Sequence, residues 1–394
     1  MTYRRAVLPA LAGTVLLALL LWWAGASAQA LRLPGAGTMI DPQSTYQLRQ
    51  LLAPWSYDPP AEMFGGDAGY QAAEAPAAGG DTYASLYRTA MQIRYATLVV
   101  VFLAGALLLV RRLPPVRGRT PATLLAVWAW SLVAATLALT VSAPWSLASR
   151  EHSSYRVLPQ ISGIIGTGQQ MAVFAGLVAA LGTALVARIA AKGAEEPPRR
   201  EVAPRAARLS ASAGTAVVAL SLVVLSYQSV AAAIQTAPYP GGLLSEPGEL
   251  LRQWLLLGFW TPPTSAAFGD WLLYRLLDVL LLAVVWWSLR LLPALLTRVT
   301  VSAMALCGVC ATVLGLLASQ LARLPLNAGT VRWGPLYVLG QLGGCVPAAI
   351  TFGTAAGVTA AVVWRVAGGR EPAGASESTK SPEPAETAEG AAEA

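Results

Sequence analysis

The sequence predicts an all-α polytopic membrane protein of about eight transmembrane helices, arranged as two parallel four-helix repeats that each carry an outer interfacial amphipathic helix. Three observations lead to this fold class. Hydrophobic residue types make up 55% of the 394 residues and charged types 12%, a balance far from that of a soluble domain. Eight stretches are long and apolar enough to cross a bilayer, and several short motifs occur twice.

The candidate spans follow from length, because a helix needs about 20 residues to cross the hydrocarbon core of a membrane. They cover residues 6–25, 92–110, 121–143, 170–188, 211–233, 271–290, 299–321 and 337–364. An even number of spans places both termini on the same side of the membrane.

Arginines in the connections predict the orientation. They precede the first span and fill the second and fourth connections, at Arg4, Arg5, Arg111, Arg112, Arg117, Arg119, Arg199, Arg200, Arg205 and Arg208. By the positive-inside rule these segments and both termini are cytoplasmic. The abundance of Ala, Gly, Pro and Leu, with lysine only at Lys192 and Lys380, is typical of a high-GC bacterial genome. We therefore expect a multi-pass protein of the bacterial cytoplasmic membrane.

The first span also resembles a secretory signal, since Ala26-Ser27-Ala28 follows it as a cleavage site would. Its apolar stretch is longer than a signal core, and residues 211–233 are its uncleavable counterpart. We expect the first span to be retained.

The repeat is marked by a Leu-Arg-Gln tripeptide at 48–50 and at 251–253, each followed at the same spacing by paired prolines. A Leu-Tyr-Arg tripeptide recurs at 86–88 and 273–275. These landmarks divide the chain into a first four-span repeat at 1–190 with an outer loop at 26–91, a basic cytoplasmic linker at 191–210, a second repeat at 211–367 and a disordered acidic tail at 368–394.

A short amphipathic helix is predicted after the first span of each half, because apolar residues recur there at i, i+3, i+4 and i+7. Asp41 with Pro42, and Ser245 with Pro247, supply start signals. Tryptophans suit the membrane interface, so Trp55, Trp254 and Trp260 are expected in the outer aromatic belt.

The last span of each half carries small residues at every fourth position before an arginine, at Gly176, Ala180, Ala184 and Arg188 and again at Gly353, Gly357, Ala361 and Arg365. Such a stripe allows two helices to approach closely. It predicts packing within the chain, with a dimer interface as the alternative.

Ionisable and polar residues at the spans provide the candidate site. Asp278 lies within an apolar run three residues after Arg275, so the two side chains can pair on one helix face. Arg88 corresponds to Arg275, but no acid follows it. This arrangement fits a structural ion pair or a carboxylate that binds a substrate or proton. Glycines next to Gln169 and Gln341 could unwind the outer ends of the last spans and expose backbone dipoles to a solute.

No cofactor or metal is expected. The chain has one histidine and three cysteines, of which Cys307 and Cys310 are one helical turn apart. No further cluster of ligand-type residues accompanies them, so the sequence does not indicate a convergent zinc site or a hydrolytic triad. The arginines lie beside apolar runs instead of on a soluble basic face, which argues against nucleic acid as a partner.

Three function classes remain. The first is a permease-like or transport-accessory subunit, embedded in the lipid bilayer, with an envelope or transporter subunit as its partner in the accessory role. The second is a structural or interaction protein of the bacterial cell envelope. The third is a membrane-embedded enzyme acting on lipid-linked substrates, with Asp41, Asp58 or Asp270 as outer carboxylates. Symmetry alone cannot decide among these classes.

Overall fold

The computed structural model describes residues 3–31, 41–58, 80–114, 119–150, 156–192, 203–237, 245–258, 267–325 and 342–368. The long helices are α1 (Tyr3–Ala30), α3 (Gly80–Arg112), α4 (Thr120–Ala148), α6 (Gln169–Ala190), α7 (Pro204–Ala219), α10 (Phe268–Leu295), α11 (Val301–Arg323) and α12 (Val346–Gly368). The short helices are α2 (Pro42–Leu52), α5 (Val157–Thr167), α8 (Gln228–Thr236) and α9 (Gly248–Leu255). A π-helical turn at Leu220–Leu225 extends α7.

The prediction of an all-helical protein with eight apolar spans is confirmed for this part of the chain. Eight helical segments of sufficient length and apolar character are present, and α5 and α6 together form the fourth. Residues 59–79 of the predicted outer loop, residues 369–394 of the predicted tail, Trp260 and Gln341 lie outside the described residues.

Successive spans run in opposite directions between the two ends of the bundle. One end carries α2, α5, α8 and α9, and we call it the short-helix end. The opposite end carries Arg112, Arg119 and Arg188 near the ends of the spans, and we call it the arginine-rich end.

Each half of the chain packs mainly on itself. In the first half, α1 contacts α3 and α6, and α4 contacts the same two helices. In the second half, α7 contacts α10 and α12, and α11 contacts the same two helices. The halves meet where α4 packs against α11 and α12, and we call this contact the seam. One continuous apolar core extends through both halves and the seam.

Small residues allow the helices to pack closely. This is expected in lipid, where the hydrophobic effect does not drive helices to associate. A Cβ atom added at Gly357 would lie 2.3 Å from the Met304 carbonyl oxygen, and one added at Gly353 would lie 2.6 Å from the Val309 Cα atom. The stripe of α12 therefore packs within the chain, against α11, as predicted.

The first span is part of this packing. Helix α1 continues through Ala26-Ser27-Ala28, and Ala28 is buried. A Cβ atom at Gly25 would collide with the carbonyl oxygen of Trp55. Residues near the cleavage-like sequence are thus integrated into the first half.

Candidate functional site

Asp278 lies in a cluster of three charged side chains at the short-helix end of α10. Its carboxylate is 2.9 Å from Arg275 Nη1, as the i, i+3 spacing predicts, and 3.5 Å from Arg323 Nη2 on α11. The Asp278 side chain is only 14% exposed. The Arg323 guanidinium also lies over the Tyr274 ring, at 5.8 Å from its centroid. One acid is therefore shared by two bases, and the cluster joins α10 to α11.

Arg88 does not take part in an equivalent cluster. It is exposed, and Met91, which occupies the position of Asp278 in the first half, is fully buried. The candidate charge site is therefore confined to the second half.

Trp55, which is predicted for the outer aromatic belt, faces the protein interior. Trp55 is completely buried and packs edge-on against Tyr95, with ring centroids 6.1 Å apart. Its indole N–H donates to the Gly168 carbonyl oxygen at 2.9 Å. The hydrogen bond gives the polar end of the ring a partner inside the protein, so the ring does not need the headgroup region. Trp254 on α9 is half-buried.

The fourth span is interrupted at that same carbonyl. Helix α5 ends at Thr167 and α6 begins at Gln169, so Gly168 forms a joint between them. Gln169 is 2% exposed, and its Nε2 atom has no hydrogen-bond partner in the described part of the chain. A buried carboxamide nitrogen in this state is costly unless another molecule accepts its hydrogen bonds.

The segment before α12 faces this joint. Gly343 and Cys345 both adopt positive φ, at 85° and 64°. Gln320 holds the segment, because its Oε1 accepts from the Gly343 amide at 2.9 Å and its Nε2 donates to the Gly344 carbonyl at 3.0 Å. A Cβ atom at Gly343 would lie 3.4 Å from the Gln169 carbonyl oxygen. Both last spans therefore begin in irregular backbone at the place where the halves meet.

A cavity of about 280 Å³ lies between the halves at the short-helix end, and we call it the inter-half cavity. Its polar lining comes from Ser162 on α5, from Glu249, Arg252 and Gln253 on α9, and from Cys345. Gln253 bridges the halves, since Ser162 Oγ donates to its Oε1 at 3.2 Å and its Nε2 donates to the Ser162 carbonyl at 3.3 Å. Cys345 is half-buried as a residue, but burial of its sulphur raises the pKa of the thiol.

The seam itself is closed and apolar. Cys310 on α11 contacts the Ala126 carbonyl of α4, with Sγ 3.4 Å from the oxygen. At the arginine-rich end, Arg119 donates to the carbonyl oxygens of Leu295 and Ala294 at 3.4 and 3.5 Å. In this conformation the inter-half cavity is sealed from the arginine-rich end.

Arg94 on α3 is a buried cation that the sequence interpretation missed. It is 3% exposed and donates to Ser142 Oγ at 2.9 Å, to Ser146 Oγ at 3.0 Å and to the Pro54 carbonyl. The sequence does contain a signal for this residue, because Arg94 lies inside the predicted span 92–110. Ionisable residues within spans commonly mark functional sites.

The other candidate groups have structural partners or lie apart. Asp41 caps α2 by accepting from the Ser44 amide, Asp58 accepts from Gln29, and Asp270 is exposed. Cys307 and Cys310 are buried free thiols. Within the described ranges, His, Cys, Asp and Glu side chains do not form a group able to hold a metal ion.

Comparisons of the chain with protein-family models, with curated proteins and with solved structures find no match.

Proposed function

We propose that the chain is a permease-like or transport-accessory membrane protein whose two halves bind a solute between them. The observation that carries the proposal is the inter-half cavity, because both halves line it and Cys345, in the irregular segment before α12, is part of the lining. Broken helices at a repeat interface place backbone dipoles and unsatisfied polar groups where a solute can use them. Gln169 supplies such a group next to Gly343.

The halves are proposed to be two parallel repeats. Three facts support the duplication beyond the repeated tripeptides. The four spans of each half contact one another in the same cyclic order. Gly176 on α6 packs closely on Ser131 of α4, as Gly353 on α12 packs on Val309 of α11. A short helix containing Leu-Arg-Gln precedes the second span in each half.

The proposed orientation puts the short-helix end outside the cell and the arginine-rich end, with both termini, in the cytoplasm. The positive-inside rule supports this orientation, since the connections after the second and fourth spans are rich in arginine. The membrane is then the bacterial cytoplasmic membrane, and the inter-half cavity faces outward while the seam is closed on the cytoplasmic side.

In this proposal Asp278 is a structural carboxylate. Its two arginine partners link α10 to α11, away from the seam. A solute would move between the halves only if α4 separates from α11, which would expose Cys310.

The native cysteines allow a direct test in intact cells. In the double variant Cys307→Ala and Cys345→Ser, Cys310 is the only thiol, and it faces Ala126 at the seam. A membrane-impermeant cationic methanethiosulfonate reagent should modify Cys310 slowly but completely if the seam opens during a transport cycle. The control is the double variant Cys307→Ala and Cys310→Ala, in which Cys345 lines the inter-half cavity and should react from outside.

Complete protection of Cys310, with slow but complete reaction of Cys345, would reject a moving seam. In that case the closed, apolar seam favours the second candidate, a structural or interaction protein of the envelope. Affinity purification from crosslinked cells would then be expected to recover a partner that contacts the short-helix end.

A further inference from the structure

A second cavity, of about 470 Å³, lies within the first half at the short-helix end, and we call it the Arg94 cavity. It is enclosed by α2, α3, α4 and α5. Its polar lining comes from Gln50, Tyr87, Arg94, Ser146, Arg150 and Gln160. Its volume lies in the range of small-molecule sites, which are typically about 300–1,000 Å³. None of the described lining residues is acidic, so within the described part of the chain two arginines face this space without a counter-charge.

The charge of Arg94 is solvated only by neutral oxygens. Two serine hydroxyls and the Pro54 carbonyl accept its hydrogen bonds, and no carboxylate pairs with it in the described part of the chain. A buried guanidinium is expensive unless an opposite charge compensates it. The serines orient the side chain, since Ser142 and Ser146 are one turn apart on α4. The protein therefore holds a positive charge in a fixed position beside a cavity.

Arg150 and Gln160 provide further polar atoms that are not used inside the protein. Arg150 Nε and Gln160 Oε1 are both buried and lack hydrogen-bond partners within the described residues. Arg150 lies at the end of α4, one turn beyond Ser146, and Gln160 lies on α5. Unpaired buried groups of this kind usually mark a missing ligand or ordered water.

We infer that the Arg94 cavity binds an oxyanion, a carboxylate or phosphate group, with Arg94 and Arg150 as its cationic ligands. A guanidinium presents a planar fork of N–H donors that matches both groups, and desolvation strengthens the charge-assisted hydrogen bonds. Gln50, Gln160 and Tyr87 line the same space and select a ligand with additional polar groups. The inference does not depend on the opening of the seam, because the cavity belongs to the first half alone.

The test is a titration of the purified full-length protein in an uncharged maltoside detergent. Inorganic phosphate, and separately citrate, is added at constant ionic strength set with sodium chloride, and thermal unfolding is followed by tryptophan fluorescence. Saturable stabilisation by either anion is expected. Arg150→Gln should raise the half-saturating concentration about tenfold or more, the effect of losing a charge-assisted hydrogen bond. Arg208→Gln, which removes an exposed arginine at the opposite end, should leave it unchanged.

A lipid headgroup carries the same chemistry, so a second arm uses native mass spectrometry after purification from membranes that contain phosphatidylglycerol. Retention of this lipid by the wild type and its loss in Arg150→Gln would assign the site to a headgroup. Arg94→Lys keeps the charge but not the fork, and it should weaken binding even if Arg94→Gln fails to fold. Absence of binding in both arms, or equal binding by Arg150→Gln and Arg208→Gln, would overturn the inference.

Discussion

Replacing Gly357 by alanine tests the close packing of α11 and α12 in the second half. The added Cβ atom would lie 2.3 Å from the Met304 carbonyl oxygen and 2.6 Å from the Ala305 Cα atom. Both neighbours are backbone atoms of α11, so a side-chain rotation cannot relieve the collision. Compared with an ordinary contact of about 3.4 Å, the shortfall is about 1.1 Å, and α11 and α12 would have to separate by about that amount.

Such a separation would weaken the contacts between the two helices along this stretch. Dispersion decays steeply over a gap of 0.5–1 Å, and overpacking typically costs about 1–3 kcal/mol. We expect Gly357→Ala to lower the free energy of unfolding by about 2 kcal/mol. Unfolding by sodium dodecyl sulphate in mixed maltoside micelles, followed by circular dichroism, measures this change.

Gly269→Ala is the matched control for the glycine substitution. Gly269 lies in the first turn of α10, and a Cβ atom there would meet nothing within 4 Å. The control should be neutral or slightly stabilising, because alanine is favoured over glycine in helices. If Gly357→Ala were as stable as Gly269→Ala, the close approach of α11 and α12 would be refuted.

Three further predictions concern single contacts. Asp278→Asn should destabilise the protein by about 2 kcal/mol because two arginines lose their shared acid, and a double-mutant cycle with Arg323→Gln should show coupling; additive effects would exclude the cluster. Trp55→Phe should cost about 1 kcal/mol in denaturant unfolding by removing the indole hydrogen bond to Gly168, and an unchanged stability would mean that this bond contributes nothing. Alkylation of Cys345 by iodoacetamide should be slower at pH 7.5 than alkylation of an exposed cysteine, because the raised pKa keeps the thiol protonated. The alkylation rate should still increase with pH above pH 9. A rate that reaches its plateau below pH 9 would contradict the burial of the sulphur.

The sequence predicted the spans well because each depends on local composition. Apolar runs of sufficient length become helices wherever lipid must be crossed, and the Arg275–Asp278 contact follows from i, i+3 spacing alone. Asp41 likewise caps α2 as its position before Pro42 indicates.

Contacts between distant segments could not be predicted in this way. Arg323 reaches Asp278 from 45 residues away, and Trp55 bonds a carbonyl 113 residues later. Trp55 is a residue type common at membrane interfaces, but tertiary packing buries the ring and gives its indole N–H a partner. Arg94 differs from these residues, because the sequence alone shows that it lies inside an apolar span. Its serine partners on α4 could be identified only from the folded structure.

The way each half packs on itself has a consequence for synthesis. The principal neighbours of α1 are α3 and α6, so the first half can complete its own contacts before the second half leaves the ribosome. Until then, we expect lipid to cover the face of α4 that will meet α11, on which Ala126 lies. We therefore expect assembly to be a docking of two separately packed bundles, in which the seam forms last.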